Sequence, residues 1–284
     1  MIKLAIPNKG RLNPEVVKLL EKIGLEIPEN GRKLYANTNN PNIQIIYARA
    51  ADIPLYVQSG AADIGISGED MVSESNADVK ILLKLNFGIC KVVVAAPISS
   101  RIKSNKDYSN GIKVATKLPN ITKEYFAKLN VDCQIVRVAG ATELAPYLNI
   151  ADVIVDQIST GTTLAQNNLT VVDDILESNQ CLMVNKKSIL EKEDEISSLA
   201  LSIESVTTAE TKRYVMANVP NKETLDSVIQ VMPAMNSPTI LNLANGGFSL
   251  HSVVDSQNLI TIIGKIKKAG ARDILVMNMS RVVE

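Results

Sequence analysis

A chain of 284 residues has room for two or three compact units, taking roughly 100–200 residues per domain. Its cores must be aliphatic, because hydrophobic residues make up 46% while aromatics are only 4% and tryptophan is absent. Lys plus Arg and Asp plus Glu both total 30, with no long basic run, which argues against nucleic acid as a partner and makes any anion site local.

The N-terminus opens directly on a strand, Lys3 to Pro7, without the charged and apolar regions of a signal peptide. Asn13-Pro14-Glu15 then offers an N-cap, a proline at the first helical position and a favourable carboxylate. Val16, Val17, Leu20 and Ile23 share one face of the helix that follows, and Gly24 stops it. Ile43 to Ala48 is a second strand, leading to Asp52 as the cap of a short helix that ends near Gly60. Ile64-Gly65-Ile66 is a third strand, opening into Ser67-Gly68-Glu69-Asp70. Lys91 to Ala95 is a long apolar strand, and the polar stretch Ser99 to Gly111 after Pro97 reads as a crossing to a second lobe. There, Ile112 to Thr116, a helix around Thr122 to Leu129, a strand at Gln134 to Val138 and a helix from Thr142 are expected. Val171 to Ser178 carries the chain back, and Cys181 to Val184 is a strand rejoining the first lobe. Lys186 to Glu195 reads as a solvated helix or connection.

Alternation of strands and helices predicts an α/β region with a largely parallel sheet, divided into lobe I (1–96, rejoined by 178–208) and lobe II (97–177). From 209 to 284 the pattern changes. Strands at Arg213 to Val219, Thr239 to Leu243, Ser249 to Val254 and Ile274 to Met279 alternate with two amphipathic helices. That order is βαββαβ, the split unit of ferredoxin-like domains. Cys90, Cys133 and Cys181 are odd in number and widely spaced, which fits reduced thiols in a cytoplasmic protein. His251 is the single histidine, so a His-rich metal site is excluded, and no stretch approaches the ~18 apolar residues of a membrane span.

The segment richest in chemistry is D-Q-I-S-T-G-T-T-L, 156–164, which directly follows the apolar run Ala151 to Val155. A strand that hands over to a turn with a carboxylate, four hydroxyls and a glycine can form a phosphate cradle from backbone N–H groups and hydroxyl donors. Asp156 at the strand end can then hold sugar hydroxyls. A well-capped helix start with no ligand reads equally well from these residues alone.

Five segments resemble one family in its own order along the chain, the ATP phosphoribosyltransferases in their long form. They are A-I-P-N-K-G-R-L (5–12), D-I-P-L-Y-V-Q-S-G-A-A-D-I-G-I-S-G-E-D (52–70), E-L-A-P-Y-L-N-I-A-D-V-I-V-D-Q-I-S-T-G-T-T-L (143–164), S-P-T-I-L-N-L-A (237–244) and G-A-R-D-I-L-V (270–276). The resemblance implies a catalytic region similar to a two-lobed periplasmic binding protein. It also implies transfer of the phosphoribosyl group of phosphoribosyl pyrophosphate to N1 of ATP, with Mg²⁺, as the first step of histidine biosynthesis. Asp156, Ser159, Thr160, Gly161, Thr162 and Thr163 would hold the ribose and 5-phosphate, with Gly140, Ala141 and Glu143 on a neighbouring loop. Lys9, Arg11, Arg49, Ser67, Gly68 and Asp70 would form the opposite wall, and Asp156, Lys9 and Glu143 are the catalytic candidates.

Mg²⁺ would be held mainly by substrate phosphates and sugar hydroxyls, with few carboxylates. Histidine would bind the C-terminal domain as feedback inhibitor through Asn218, Met235, Ser237, Thr239 and Asp273, in a homo-oligomer ranging from dimer to hexamer. Bland alternatives stand beside these roles. Lys9, Arg49 and Lys84 can be surface charges, Asp52 a helix cap, Glu143 a favourable charge at a helix start, and His251 a plain strand residue. The chain departs from the family pattern at Ala51, Asn86 and Gln157, the first bearing on how ATP is gripped. A two-lobed anion sensor without turnover is the rival reading.

Overall fold

The computed structural model describes residues 1–10, 12–27, 34–159, 161–235, 237–244 and 246–283. Arg11 and Thr160 of the expected site lie outside the described residues. The chain divides into two units, Met1–Ala200 and Leu201–Glu284.

The first unit is laid on a nine-stranded mixed sheet. Its elements in chain order are β1 (Ile2–Pro7), α1 (Leu12–Lys22), β2 (Tyr35–Asn37), β3 (Ile43–Ala48), α2 (Ile53–Gln58), β4 (Ile64–Gly68), α3 (Glu69–Ser75) and β5 (Lys80–Pro97). There follow β6 (Ile112–Thr116), α4 (Pro119–Lys128), β7 (Cys133–Arg137), β8 (Val153–Ile158), α5 (Thr162–Gln166), β9 (Leu169–Val184), α6 (Ser188–Glu191) and α7 (Glu193–Thr211), the last running on into the second unit. The strand order is β2-β3-β1-β4-β9-β5-β8-β6-β7. Two parallel groups, β3-β1-β4 and β8-β6-β7, flank the long antiparallel pair β9-β5. The inner parallel strands β1, β4, β6 and β8 are largely apolar, with Leu4, Ala5, Ile6, Ile64, Ile66, Val114, Val153, Ile154 and Val155 fully covered, whereas the edge strand β7 is only partly buried.

Several boundaries differ from expectation for identifiable reasons. The chain crosses between the two groups within β5, which pairs with Met183 and Leu182 near its start and with β8 near its end, so 99–111 follows the crossing. Val171 to Ser178 and Cys181 to Val184 fuse into the single strand β9, because β5 offers a partner along its whole length. The helix expected from Thr142 is only a 3₁₀ turn, Thr142–Leu144. Helix α4 begins earlier than expected, at Pro119, whose missing N–H costs nothing at a helix start. Asp52 stands before α2 without a side-chain capping bond, and Asn13 lies inside α1, donating from Nδ2 to the Pro7 carbonyl at 2.6 Å. The charged run 186–195 enters a 19-residue helix, whose apolar positions Ile196, Leu199, Ile203 and Val206 are buried.

The two strand groups are tied together by helix ends as well as by sheet. Glu74 of α3 accepts the backbone N–H of Asn120 at 3.1 Å and of Ile121 at 3.0 Å, supplying the carboxylate that the start of α4 lacks in its own sequence. On the other side Asp63, only 4% exposed, accepts from the Lys3 N–H at 2.9 Å, Ser188 Oγ at 2.7 Å and Lys192 Nζ at 2.7 Å, pinning the returning chain to β1.

The second unit adds β10 (Lys212–Val219), α8 (Lys222–Ile229), β11 (Thr239–Asn242), β12 (Phe248–Asp255), α9 (Leu259–Lys268) and β13 (Arg272–Asn278). Its sheet order, β11-β12-β10-β13, all antiparallel, is the ferredoxin-like arrangement that βαββαβ predicts. Leu225, Val228, Ile262 and Ile266 of the helices meet Val215, Ala217, Leu250 and Val254 of the sheet in its core.

Candidate functional site

Strand β8 delivers the hydroxyl turn. Its fully buried stretch Val153-Ile154-Val155 ends at Asp156, whose side chain is 18% exposed, and the polar residues emerge where the sheet ends. Gly161 takes φ +73°, the left-handed conformation that a side chain resists, and so bends the chain into α5. Asp156, Gln157, Ile158, Ser159, Gly161, Thr162, Thr163 and, from the separate 3₁₀ turn, Glu143 surround a cavity of 130 Å³. The neighbouring backbone is bent sharply as well, with Ala141 at φ +50°. Gly140, beside Ala141, has open space around it.

A partner unforeseen from sequence joins this group. Lys117 Nζ lies 2.9 Å from Asp156 Oδ1, which also accepts the Gln157 N–H at 2.7 Å. Lys117 follows β6, the parallel neighbour of β8, so the pair forms because adjacent strands end side by side. Sequence alone offers only a lysine after a strand, far along the chain from Asp156.

A second cavity of 460 Å³ opens beside the first and shares Gln157, Ile158 and Ser159 with it. Its other walls carry Lys9 and Gly10 from the turn after β1, Gly68, Asp70 and Met71 at the start of α3, and Gly88, Ile89 and Cys90 of β5. A bulge builds the last of these walls. Leu85 opposes Gln180 and Cys90 opposes Ser178, so residues 86–89 lie against Asn179 alone. Gly88 turns this bulge at φ +63°, where a Cβ would come within 2.7 Å of both Gln180 Cγ and Leu12 Cδ2. Asn86, one of the departures from the family pattern, lies in the same bulge.

Asp70 is the centre of the floor. Only 2% exposed, it accepts from Ser178 Oγ at 2.8 Å through Oδ1 and from Gln157 Nε2 through Oδ2, joining α3, β9 and β8. Gly68 leaves room for that carboxylate, since a Cβ there would sit 2.1 Å from Asp70 Oδ1. Ser67 is fully buried and donates to the Ala50 carbonyl at 2.7 Å, which holds the turn rather than facing the cavity. Arg49 is exposed at the end of β3, outside the lining of either cavity, and Lys84 pairs with Glu69 at 2.8 Å. That pairing raises the Lys84 ammonium above its ordinary range. Gln180, which falls between the two segments expected from sequence at 171–178 and 181–184, is 3% exposed, lines the larger cavity and leaves its Oε1 without a partner.

The described residues include no group of three or more His, Cys, Asp or Glu side chains placed to hold a metal ion. No helix among them is long and apolar enough to cross a membrane. In the second unit, Asn218 Nδ2 donates to Asp273 Oδ2 at 3.2 Å, with Asp273 at φ +48° after a register shift in β10. Thr239 pairs with His251 across β11 and β12, whereas Met235 lines a separate 580 Å³ cavity with Lys212, Asn258 and Lys265. Of the five residues expected to hold histidine, the lining of this cavity includes Met235 alone. His251 is held within the sheet by Tyr214 at 2.7 Å and Ser249 at 3.1 Å.

Comparison with known proteins gives these features a family. Residues 49–205 match the family described as ATP phosphoribosyltransferase, and 209–281 match its C-terminal domain. The ATP phosphoribosyltransferase of Methanocaldococcus jannaschii is 45% identical over 100% of both chains, and that of Methanosarcina mazei 44% over 100% of both. Among solved structures, an ATP phosphoribosyl transferase (HisG:HisZ) complex from Thermotoga maritima matches at 32% identity and TM-score 0.64, covering 72% of this chain and 96% of that one. Tv2483 bound to L-arginine matches at 13% identity and TM-score 0.50, covering 74% and 84%, a likeness of fold alone. The first unit accordingly has the periplasmic-binding-protein-like fold. By its matched segments, its full-length relatives and its two-unit architecture, the chain belongs to the ATP phosphoribosyltransferase family, whose reaction opens histidine biosynthesis.

Proposed function

We propose that the two adjoining cavities of the first unit are the substrate sites for transfer of the phosphoribosyl group of phosphoribosyl pyrophosphate to N1 of ATP, giving phosphoribosyl-ATP and pyrophosphate. The observation that carries this reading is the shared wall Gln157-Ile158-Ser159. A donor sugar and an acceptor base held on its two sides meet there. The 130 Å³ cavity suits the ribose 5-phosphate, with Ser159, Thr162 and Thr163 as hydroxyl donors and the Gly161 turn leaving the backbone open. Asp156 binds the ribose hydroxyls, and the Lys117 ammonium beside it orients that carboxylate. Thr160 and Arg11 keep the roles the family resemblance gives them. The 460 Å³ cavity takes ATP, with Lys9 on its wall toward the phosphates. Glu143 and Ala141 close the donor side, while Arg49 and Ser67 serve the acceptor wall from its rim and from beneath.

Displacement at the anomeric carbon builds positive charge on the sugar and negative charge on the leaving pyrophosphate, so the site must position and neutralise rather than attack. Asp156 faces the first charge and Lys9 the second. The donor set fits Mg²⁺ that arrives on substrate phosphates, with Asp156 or Glu143 able to complete its shell, and the ion would stabilise the departing pyrophosphate. In the second unit, histidine acts as feedback inhibitor at the polar group of Asn218 and Asp273, with Ser237, Thr239 and Met235 from the adjoining segment. The exposed apolar residues of both edge strands, Ile240 and Leu241 in β11 and Leu275 and Met277 in β13, support assembly into a homo-oligomer.

Incubation with ATP, phosphoribosyl pyrophosphate and Mg²⁺ should release pyrophosphate together with phosphoribosyl-ATP. No release over a wide concentration range, with either substrate still bound, would leave the sensor without turnover as the better reading.

A further inference from the structure

Gln157 stands where the two cavities meet, and its amide is only half used. A carboxylate can only accept hydrogen bonds, so the Asp70 side chain fixes which end of the amide faces it, namely Nε2. Oε1 is thereby turned away from Asp70 and has no partner among the described residues. Asp70 cannot easily yield, because its other oxygen is held by Ser178 Oγ at 2.8 Å and its own N–H donates to Ser178 Oγ at 3.0 Å. Gln180 repeats the theme from β9, with a 3% exposed side chain and an unpartnered Oε1. A buried acceptor without a donor is costly, and a cavity bordered by the buried Gln180 Oε1 and by the half-buried amide of Gln157 suits a ligand that brings N–H groups.

We infer that Gln157 is a specificity-determining residue for the acceptor base: its Oε1 accepts a hydrogen bond from the exocyclic 6-amino group of the adenine, and Asp70 is the positioning residue that holds the amide in that sense. The inference rests on the assignment of ATP to the larger cavity. The amine is attached to C6, next to the N1 that attacks, so a bond to it sets the distance and angle of the nucleophile. A purine with an oxygen at C6 would meet Oε1 with a second acceptor and be repelled.

The test compares ATP with purine riboside triphosphate, which keeps the N1 lone pair and loses only the amine. Losing the amine also lowers the intrinsic reactivity of N1, but by the same factor in every variant, so that contribution cancels when preferences are compared. Gln157→Leu and Gln157→Met remove the amide, the second while keeping the unbranched chain. Both should cut the ratio of kcat/KM for ATP over the analogue about tenfold, the loss falling on ATP, with KM for phosphoribosyl pyrophosphate unmoved. Asp70→Asn, which permits the paired amide to turn over, should reduce the same ratio. An unchanged ratio in both Gln157 variants would overturn the inference while the assigned reaction stands. Absence of phosphoribosyl-ATP with the unaltered protein would remove the reaction itself, and the inference with it.

Discussion

The two units bury different things. Away from its apolar cores the first unit encloses Asp63, Ser67, Asp70, Ser178, Gln180 and Asn185, several of them around the cleft floor, whereas the four-stranded sheet of the second buries only Ser249 and Ser252 among its described polar side chains. The second unit instead leaves Leu241 52% and Leu275 51% exposed on its edges. Buried polar groups are costly unless each has a partner, so a region that concentrates them is organised around positions rather than around stability. An exposed apolar edge is organised around contact with another surface. The contrast separates a unit shaped for chemistry from one shaped for assembly and control.

The contrast breaks most directly at Asp156. Asp156→Ala should lower kcat by about a thousandfold or more, with the thermal transition within a few degrees of the parent. Near-normal turnover would take Asp156 out of the site and leave the first unit's polar floor unexplained. Ending the chain at residue 208 should abolish inhibition by histidine, because the polar group at Asn218 and Asp273 is then gone. Persistent inhibition of the shortened protein would place histidine in the first unit and undo the division of labour.

A third measurement asks whether all buried polar groups in the first unit serve the cleft. Asp63 does not, since it ties Lys3, Ser188 and Lys192 together away from both cavities. Burial alone would raise its carboxyl, but hydrogen bonds from Lys192, Ser188 and the Lys3 N–H, with the charge of Lys192, hold it below the ordinary range. A carboxylate depressed in the folded state stabilises fully above its unfolded value near ~3.9 and loses that contribution as pH falls through the folded value. Asp63→Asn should therefore cost about 3 kcal/mol in urea unfolding at pH 7. The gap from the parent should shrink in acid below about pH 4, while kcat stays the same for the folded fraction. An equal gap at both pH values would assign the loss to packing instead. The smallest effect concerns Cys181, fully buried, with its thiol pushed up to about 12 by burial and by the nearby Glu69 and Asp70 carboxylates. It should resist iodoacetamide at pH 8 until the first unit unfolds, and rapid labelling of the native protein would mean that the β4-β9 region opens locally.

Much of the architecture was legible because short-range chemistry writes it. Ile2 to Pro7, Ile43 to Ala48 and Val153 to Val155 are apolar enough to be read as buried strands, and the βαββαβ order of the second unit emerged from alternation and helical stripes. Gly161 and the hydroxyls around it announced a turn with donors. Other features escaped because their causes lie far along the chain. Nothing near Glu74 marks it as the cap of α4, and nothing near Lys117 marks it as the partner of Asp156. Gln157 registered only as a departure from a pattern, because its meaning depends on Asp70, 87 residues away.

Spacing and residue type thus sufficed for which segments become strands, where the phosphate-suited turn lies and which family the chain resembles. Each of those depends on neighbours within a few positions, and backbone sterics and hydrophobic periodicity act at that range. The tertiary structure alone decided that β5 and β9 run unbroken through the middle of the sheet, that a bulge at Gly88 walls one cavity, and that an amide and a carboxylate from different strand groups meet where the two cavities join. Strand pairing brings together residues that share no local signal, so their contacts are consequences of the whole sheet's register rather than of any one segment.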